Sequence, residues 1–320
     1  MRLGRSPATA AVATPDQLVM PRTFSGSRLR RTLRGEKAFG LLLMSPVVLY
    51  LAILLLYPLI LSIWFSLSNA SVDEPFGSWK GMQNFTNLWH DEVFRRALRN
   101  SFIFTFGAEI GKIILGTSLA FLLLRNFKGK KVIRGLLILP WTVPIALTTL
   151  GWQWMFDPQF SVINWTTRHL GIGYQPNWLG EPVPAMAAVM AVNIWRGFPF
   201  AAIIVLAGMT SIPQDIIDAA QVDGASFFKR YRSVIVPMIM PILFVGLLFD
   251  LVFTFTDLSV VYLLTRGGPQ NFTHILPTLT FQNGIQGGDL AQGAAISLFM
   301  LPLLMVAVVI MLRLLRRREI

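Results

Sequence analysis

A small set of polar and aromatic side chains stands inside stretches that are otherwise apolar, and these residues could do chemistry. Asp250 and Asp257 are seven residues apart, which places both carboxylates on one face of a helix. Polar groups inside a membrane span usually face the interior of a helix bundle and serve a function. Such groups can recognise a hydroxyl-rich solute, on which aromatic rings can stack. The candidates for a substrate path are Asn193, Trp195, Phe198, Asp250, Thr254 and Asp257.

Each of these residues also has a structural interpretation. Asp250 could neutralise Arg196 or cap a neighbouring helix. Glu109 and Lys112 are three residues apart and can pair on one helix face for packing alone. Clustered carboxylates at a membrane face would fit a polytopic membrane transferase, and the pair of Asp250 and Asp257 is the closest approach to such a cluster. We therefore predict no catalytic residue.

The composition predicts that these residues belong to a membrane protein. Of the 320 residues, 54% are hydrophobic and only 14% are charged, against roughly 25% charged in a soluble domain. The net charge of +12 would suggest nucleic acid in a soluble protein. Here the basic residues lie at the ends of apolar stretches, so no nucleic-acid partner is predicted. With no cysteine and three widely separated histidines, no disulfide and no metal site are predicted.

Six apolar stretches reach the length of about 20 residues that a membrane span needs. The segments between them are alternately rich and poor in Lys and Arg. By the positive-inside rule, both termini and the segment between the fourth and fifth spans are predicted to lie in the cytoplasm. Residues 1–38 have no apolar periodicity and are predicted to be a basic, disordered tail, followed by a membrane domain over 39–320. The predicted spans are 39–67, 101–124, 135–156, 185–209, 234–256 and 290–312.

The segment 211–237 carries the densest helix and turn signals of the chain. Ser211 with Gln214 three residues later fits a capping box that begins a short helix. Gly224 follows an aspartate and indicates a turn that ends this helix. A second helix is predicted to begin near Ala225. The sequence thus predicts a helix, a glycine bend and a second helix outside the membrane.

This segment matches a known pattern at every spacing. Asp218-Ala219-Ala220, three residues, Gly224, nine residues and Val234-Ile235-Val236-Pro237 resemble the signature loop of permease subunits in binding-protein-dependent ABC importers. That family has Glu-Ala-Ala, Gly and Ile-x-Leu-Pro at the same spacing, so aspartate replaces glutamate and valines replace isoleucine and leucine. Phe198-Pro199-Phe200 and Leu263–Pro269 are similar to the maltose- or trehalose-type first permease of the sugar-importer branch.

The resemblance implies an all-α type I ABC importer transmembrane domain with six transmembrane helices, in a bacterial or archaeal cytoplasmic membrane. Such a subunit is not an enzyme, because a partner ATPase dimer binds ATP and magnesium, and no cofactor is expected in this chain. The other implied partners are a second homologous permease in a heterodimer, an extracytoplasmic substrate-binding protein and membrane lipid. The residues implied to couple to the ATPase are Asp215, Asp218, Ala219, Ala220, Asp223, Gly224, Ala225 and Pro237.

Several alternatives stay open at this point. A permease of the same family could carry glycerol phosphate or a polyol instead of a sugar. An ATP-independent carrier is a further possibility, but it would leave the signature loop unexplained. The segment 107–113 is glycine-rich like a phosphate loop, yet it lacks the correct spacing and the Ser/Thr. We therefore expect that this chain binds no nucleotide by itself.

Overall fold

A computed structural model describes the backbone of residues 26–316 and the side chains of residues 40–316. The described backbone is nearly all helical, which confirms the predicted fold class. The chain divides into two compact units, one ending at Pro58 and one beginning at Leu59. The helices are α1 (Gly26–Ser66), α2 (Gln83–His90), α3 (Glu92–Leu124), α4 (Lys130–Leu136), α5 (Leu139–Thr142), α6 (Ile145–Met155), α7 (Val162–His169), α8 (Pro182–Thr210), α9 (Gln214–Val222), α10 (Phe227–Arg230), α11 (Val236–Phe255), α12 (Leu258–Thr265), α13 (Leu276–Thr280) and α14 (Leu290–Arg316).

Five helical stretches of the described chain are long and apolar enough to cross a membrane, and a bent pair of helices makes a sixth if it is counted as one span. Each overlaps a predicted span. Their mean hydropathy lies between 1.6 and 2.8. The five stretches are Gly40–Ser66, Glu92–Leu124, Pro182–Thr210, Phe227–Thr265 and Leu290–Arg316.

Helix α1 begins earlier than predicted. The backbone is helical from Gly26, which lies within the segment predicted to be a disordered tail. Residues 1–25 of that tail lie outside the described residues, so their predicted disorder stays a prediction. The apolar part, Gly40–Ser66, has a mean hydropathy of 2.5.

The third predicted span is not one straight helix. Its two parts, Lys130–Thr142 and Ile145–Met155, meet at an angle of 99°. Val143 at the break is extended, with φ −76° and ψ 130°, because the ring of the following Pro144 disfavours a helical conformation in the residue before it. The prediction of a single span over 135–156 was wrong in this respect.

The second span also differs, since α3 begins at Glu92 rather than at residue 101. Asp91 caps it: its Oδ1 accepts hydrogen bonds from the backbone amides of Val93 at 2.6 Å and Phe94 at 3.3 Å. The first turns of α3 carry three arginines, so hydropathy alone placed the boundary too late.

Helices α3 and α8 pack closely through small residues. Side chains of α8 lie directly over Gly107 and Gly111 of α3. One turn further on, a Cβ on Gly116 would lie 2.7 Å from the Cβ of Ala201 and 2.8 Å from the amide nitrogen of Ala202. Such contacts require glycine, because a residue without a side chain lets two helix backbones approach closely.

The connection between α12 and α14 is fixed by contacts with α3. Asn100 of α3 holds it by donating from Nδ2 to the carbonyl oxygens of Phe272 at 2.7 Å and His274 at 3.0 Å. Burial lowers the pKa of the His274 side chain, so the ring is neutral near pH 7. Helix α13 lies within the same connection.

Candidate functional site

The segment between α8 and α11 contains the predicted helix, glycine bend and second helix. Helix α9 ends at Val222, and Gly224 has φ +73°, a left-handed conformation that glycine adopts without strain. The backbone amide of Ala225 donates to the carbonyl of Ala220 at 3.0 Å and closes the turn. Apart from the glycine and its two chain neighbours, no described residue has an atom within 4 Å of the position that a Cβ on Gly224 would take.

One local detail of the prediction was wrong. The capping box does not form, because the Ser211 hydroxyl donates to the carbonyl of Gly208 at 2.7 Å and Pro213 is the N-cap of α9. Gln214 instead donates from Nε2 to Oδ1 of Asp218 at 3.0 Å. The second helix begins at Phe227 and continues through a π-helical turn into α11.

The segment Gln214–Val222 and the bend after it lie on the surface. Asp215, Asp218, Ala219, Asp223, Gly224 and Pro237 are exposed, and Ala220 and Ala225 are half-buried. The surface around them is partly apolar, since Val222 is 88% exposed and Phe228 is 67% exposed. We name the stretch Asp218–Gly224 the knob. Its small alanines and exposed apolar neighbours would allow close contact with a complementary groove.

The residues on either side of the knob are fixed to the bundle by apolar contacts. The rings of Phe227 and Tyr231 pack on Phe121 of α3 with centroid distances of 5.2 and 5.1 Å. Ile212 and Ile235, at the two ends of the segment, are buried in one cluster with residues of α3, α8 and α11. A displacement of the knob must therefore be transmitted to these three helices, because packed interiors resist deformation.

A cavity of about 430 Å³ lies between α3, α8, α11 and the start of α12. Four predicted path residues from α8, α11 and the start of α12 line it together: Asn193, Asp250, Thr254 and Asp257. The other lining residues are Lys112, Trp141, Arg196, Gly197, Phe200, Phe253, Thr256, Leu258 and Ser259.

Asn193 and Asp257 form one wall of the cavity. Asn193 Nδ2 donates to Oδ2 of Asp257 at 2.9 Å. The other carboxylate oxygen of Asp257 caps α12 by accepting from the amides of Ser259 at 2.9 Å and Val260 at 3.2 Å. Asn193 Oδ1 is buried without a hydrogen-bond partner among the described residues.

A buried ion cluster lies beside the cavity, and its members Lys112, Asp250 and Thr254 belong to the lining. Lys112 Nζ lies 3.1 Å from Glu109 Oε1 and 3.2 Å from Asp250 Oδ1, and it donates to the Thr254 hydroxyl at 2.6 Å. The predicted pairing of Glu109 with Lys112 is thus confirmed. The alternative in which Asp250 neutralises Arg196 is wrong, because Asp250 forms its ion pair with Lys112 instead.

The aromatic residues of the cavity differ from those predicted. Trp195 and Phe198 do not line it, and Trp195 packs against Trp152 at 5.7 Å instead. Trp141 and Phe200 line the cavity as a stacked pair, with centroids 5.3 Å apart and planes 18° apart.

Helical spacing could have found one of these two rings. Phe200 lies seven residues after Asn193, on the same helix face, whereas Trp195 and Phe198 lie on others. Trp141 comes from another element, so no local pattern predicts it. Its Nε1 donates to the backbone carbonyl of Arg196 at 2.9 Å, which links α5 to α8. The cavity therefore offers hydrogen-bonding groups beside an aromatic face.

Residues 112–320 match the protein family described as binding-protein-dependent transport system inner membrane component. The trehalose/maltose transport system permease protein MalF of Thermococcus litoralis is 30% identical over 284 residues, 89% of this chain and 96% of that protein. The sulfoquinovosyl glycerol transport system permease protein SmoG of Agrobacterium fabrum is 28% identical over 286 residues, 89% of this chain and 92% of that protein.

A solved structure has a similar fold. It belongs to a bacterial ABC transporter involved in the import of the acidic polysaccharide alginate. The TM-score is 0.74 at 23% identity, and the match covers 91% of this chain and 99% of that chain.

Proposed function

Because the chain belongs to the family of binding-protein-dependent transport system inner membrane components, we propose that it is a permease subunit. It carries a sugar and couples to an ATPase through residues 211–237. The exposed knob, carried by the segment that connects α8 to α11, is the observation that supports this proposal. The cavity supplies the path for the substrate.

The chemistry of the cavity favours a sugar as the substrate. A volume of about 430 Å³ lies within the ~300–1,000 Å³ range of small-molecule sites. The stacked rings of Trp141 and Phe200 offer an apolar face to a pyranose ring, while Asn193 and Asp250 offer acceptors to its hydroxyls. Glycerol phosphate or a linear polyol has no ring face to place on the aromatic pair.

The knob is the contact through which an ATPase subunit drives the path. Asp218 and its neighbours are exposed and fit a groove on a cytoplasmic partner. That partner, as a dimer, binds ATP and magnesium, and its closure on ATP moves the knob. The packing of Phe121, Tyr231 and Ile235 carries this movement into α3 and α11.

The remaining partners follow from an importer architecture. A second, homologous permease completes the path as a heterodimer, and an extracytoplasmic substrate-binding protein delivers the sugar. The terminal segments and the segment that carries the knob are among those that hold most of the Lys and Arg. By the positive-inside rule, both termini and the knob lie in the cytoplasm.

Uptake by the complete complex in proteoliposomes tests the coupling role, with radiolabelled trehalose and maltose as probes. Asp218→Lys reverses a charge in the knob, and Gly224→Pro forces φ to about −65° where the chain has +73°. We expect both to abolish uptake and ATPase co-purification while membrane insertion is retained. Asp73→Lys reverses a charge that is also exposed, in the α1–α2 connection, and is expected to leave uptake unchanged.

Two outcomes would contradict the proposal. Uptake at the wild-type rate by both knob variants, at equal abundance in the membrane, would remove the coupling role. Recovery of the radiolabel in a modified compound would instead favour a membrane transferase, since transport alone leaves the sugar unchanged.

A further inference from the structure

The side chain of Lys112 extends from α3 across α8 to α11. It crosses α8 at Gly197, where any residue with a side chain would block it. A Cβ on Gly197 would overlap Cε of Lys112 and would lie 2.8 Å from its Cδ and 3.0 Å from Nζ. Beyond this crossing, Nζ contacts Asp250 Oδ1 at 3.2 Å and the Thr254 hydroxyl at 2.6 Å. The lysine thus joins two helices from within the cavity wall.

The charges of this cluster are not balanced. One ammonium group serves two carboxylates, and all three residues are buried, with between 2 and 7% of their surface exposed. Each carboxylate uses one oxygen: Glu109 Oε1 and Asp250 Oδ1 contact Lys112. The second oxygens, Glu109 Oε2 and Asp250 Oδ2, have no hydrogen-bond partner among the described residues. A buried acceptor without a partner costs free energy, which a ligand that donates to it can recover.

Only one of the two unpaired oxygens belongs to a residue that lines the cavity. Asp250 is part of the lining, whereas Glu109 is not. With Oδ1 held by Lys112, Oδ2 is the carboxylate atom that remains for a solute. Asn193 contributes a second unpaired acceptor, Oδ1, to the same cavity.

We propose that Lys112 is a positioning residue, which holds the carboxylate of Asp250 so that its Oδ2 accepts a hydrogen bond from one hydroxyl of the transported sugar. This inference rests on the proposed function. It makes the pair of Lys112 and Asp250 a determinant of which sugars pass, separate from the coupling at the knob.

The test compares uptake of trehalose and maltose with uptake of their monodeoxy derivatives, each lacking one hydroxyl, in reconstituted complexes. The readout is the rate for the parent sugar divided by the rate for each derivative. The same binding protein serves every variant, so its own selectivity cancels between variants. Because this ratio does not depend on the amount of assembled protein, a loss of stability alone does not move it.

In the wild type, removal of one particular hydroxyl is expected to slow uptake about tenfold or more, the effect of a hydrogen bond to a charged group. Asp250→Ala leaves Lys112 paired with Glu109, and it should erase this discrimination for that derivative alone. Lys112→Met should erase it for the same derivative. The double variant, Lys112→Met with Asp250→Ala, should match Asp250→Ala, because Lys112 acts through Asp250. The formal charge of the cluster in this double variant equals that in the wild type.

Glu109→Gln is the matched control. It removes the other carboxylate bound to Lys112 but keeps the pair with Asp250, so the wild-type discrimination should persist. If Lys112→Met does not assemble, Lys112→Arg replaces it in the comparison. The planar guanidinium cannot follow the same course beside Gly197, and the discrimination should fall again.

Three results would overturn the inference. Discrimination that survives in Asp250→Ala would show that this carboxylate does not contact the sugar. An equal loss in Glu109→Gln would reduce Lys112 to a stabiliser of the cluster. A double variant that differs from Asp250→Ala would show that Lys112 acts independently of Asp250. Failure of the wild type to accumulate any tested sugar would count against the proposed function instead.

Discussion

At the scale of residues, the polar side chains inside apolar stretches were predictable, but their partners were not. Asn193, Asp250, Thr254 and Asp257 attract attention in the sequence because a buried polar group is costly. Lys112 is 138 residues away from Asp250, so no local spacing indicates their contact. The aspartate at position 218, where the family has glutamate, keeps its charge exposed at the knob.

Gly224→Ala tests the knob at this scale, with Gly129→Ala as its control. Both glycines have positive φ, +73° and +92°, and open space around a Cβ. Alanine should therefore cost a similar roughly 1–2 kcal/mol of backbone strain at either site. We expect Gly224→Ala to lower sugar-stimulated ATP hydrolysis in the complex severalfold, and Gly129→Ala to leave it near wild type. An equal loss in both variants would assign the effect to strain rather than to docking.

At the scale of elements, prolines and glycines determine where helices bend and where they meet. Pro144 breaks the third span at 99°, which hydropathy could not indicate because both halves are apolar. The glycines of α3 were recognisable as a packing face, yet their partner helix was not. Helix α8 lies against them because its own small residues, Ala201 and Ala202, complete the close contact with Gly116.

Gly116→Val tests this helix pair. The added methyl groups would collide with Ala201 and with the backbone of α8, and overpacking of this kind costs about 1–3 kcal/mol. We expect a lower midpoint of thermal unfolding for the purified complex. Gly151→Val is the comparison. Gly151 also lies inside a helix, but a Cβ built on it would meet no neighbouring atom of the described residues within 4 Å. A similar loss in both variants would mean that valine propensity, and not the α3–α8 contact, sets the effect.

At the scale of the whole molecule, the knob and the cavity are connected through the same helices. Phe121 and Lys112 both belong to α3, one contacting the knob segment and the other the cavity. Helix α11 likewise extends from the π-helical turn after the knob to Asp250 and Thr254. A rigid movement of these helices would therefore alter both places together.

The absence of cysteine in the sequence makes the orientation in the membrane directly testable. Lys128 and Gly173 are both exposed, in the α3–α4 connection and after α7. With single cysteines, a membrane-impermeant thiol reagent added to intact cells with a permeable outer layer should label Gly173→Cys. Lys128→Cys should react only after the membrane is opened. The opposite labelling pattern would invert the proposed topology.

The sequence alone determined the features that depend on local physics. Apolar stretches of span length, the glycine turn at the knob and the polar residues within spans are all readable there, because each follows from neighbouring residues. Predicted boundaries failed where charge interrupted a helix, as at Glu92, and where a proline bent one, as at Pro144.

Only the tertiary structure decided how the cavity is built. The aromatic residues that line the cavity are Trp141 and Phe200 rather than Trp195 and Phe198. The ion-pair partner of Asp250 is Lys112 rather than Arg196. Packing of α3, α8 and α11 fixes these choices, since distant residues meet only where glycine faces let the helices approach.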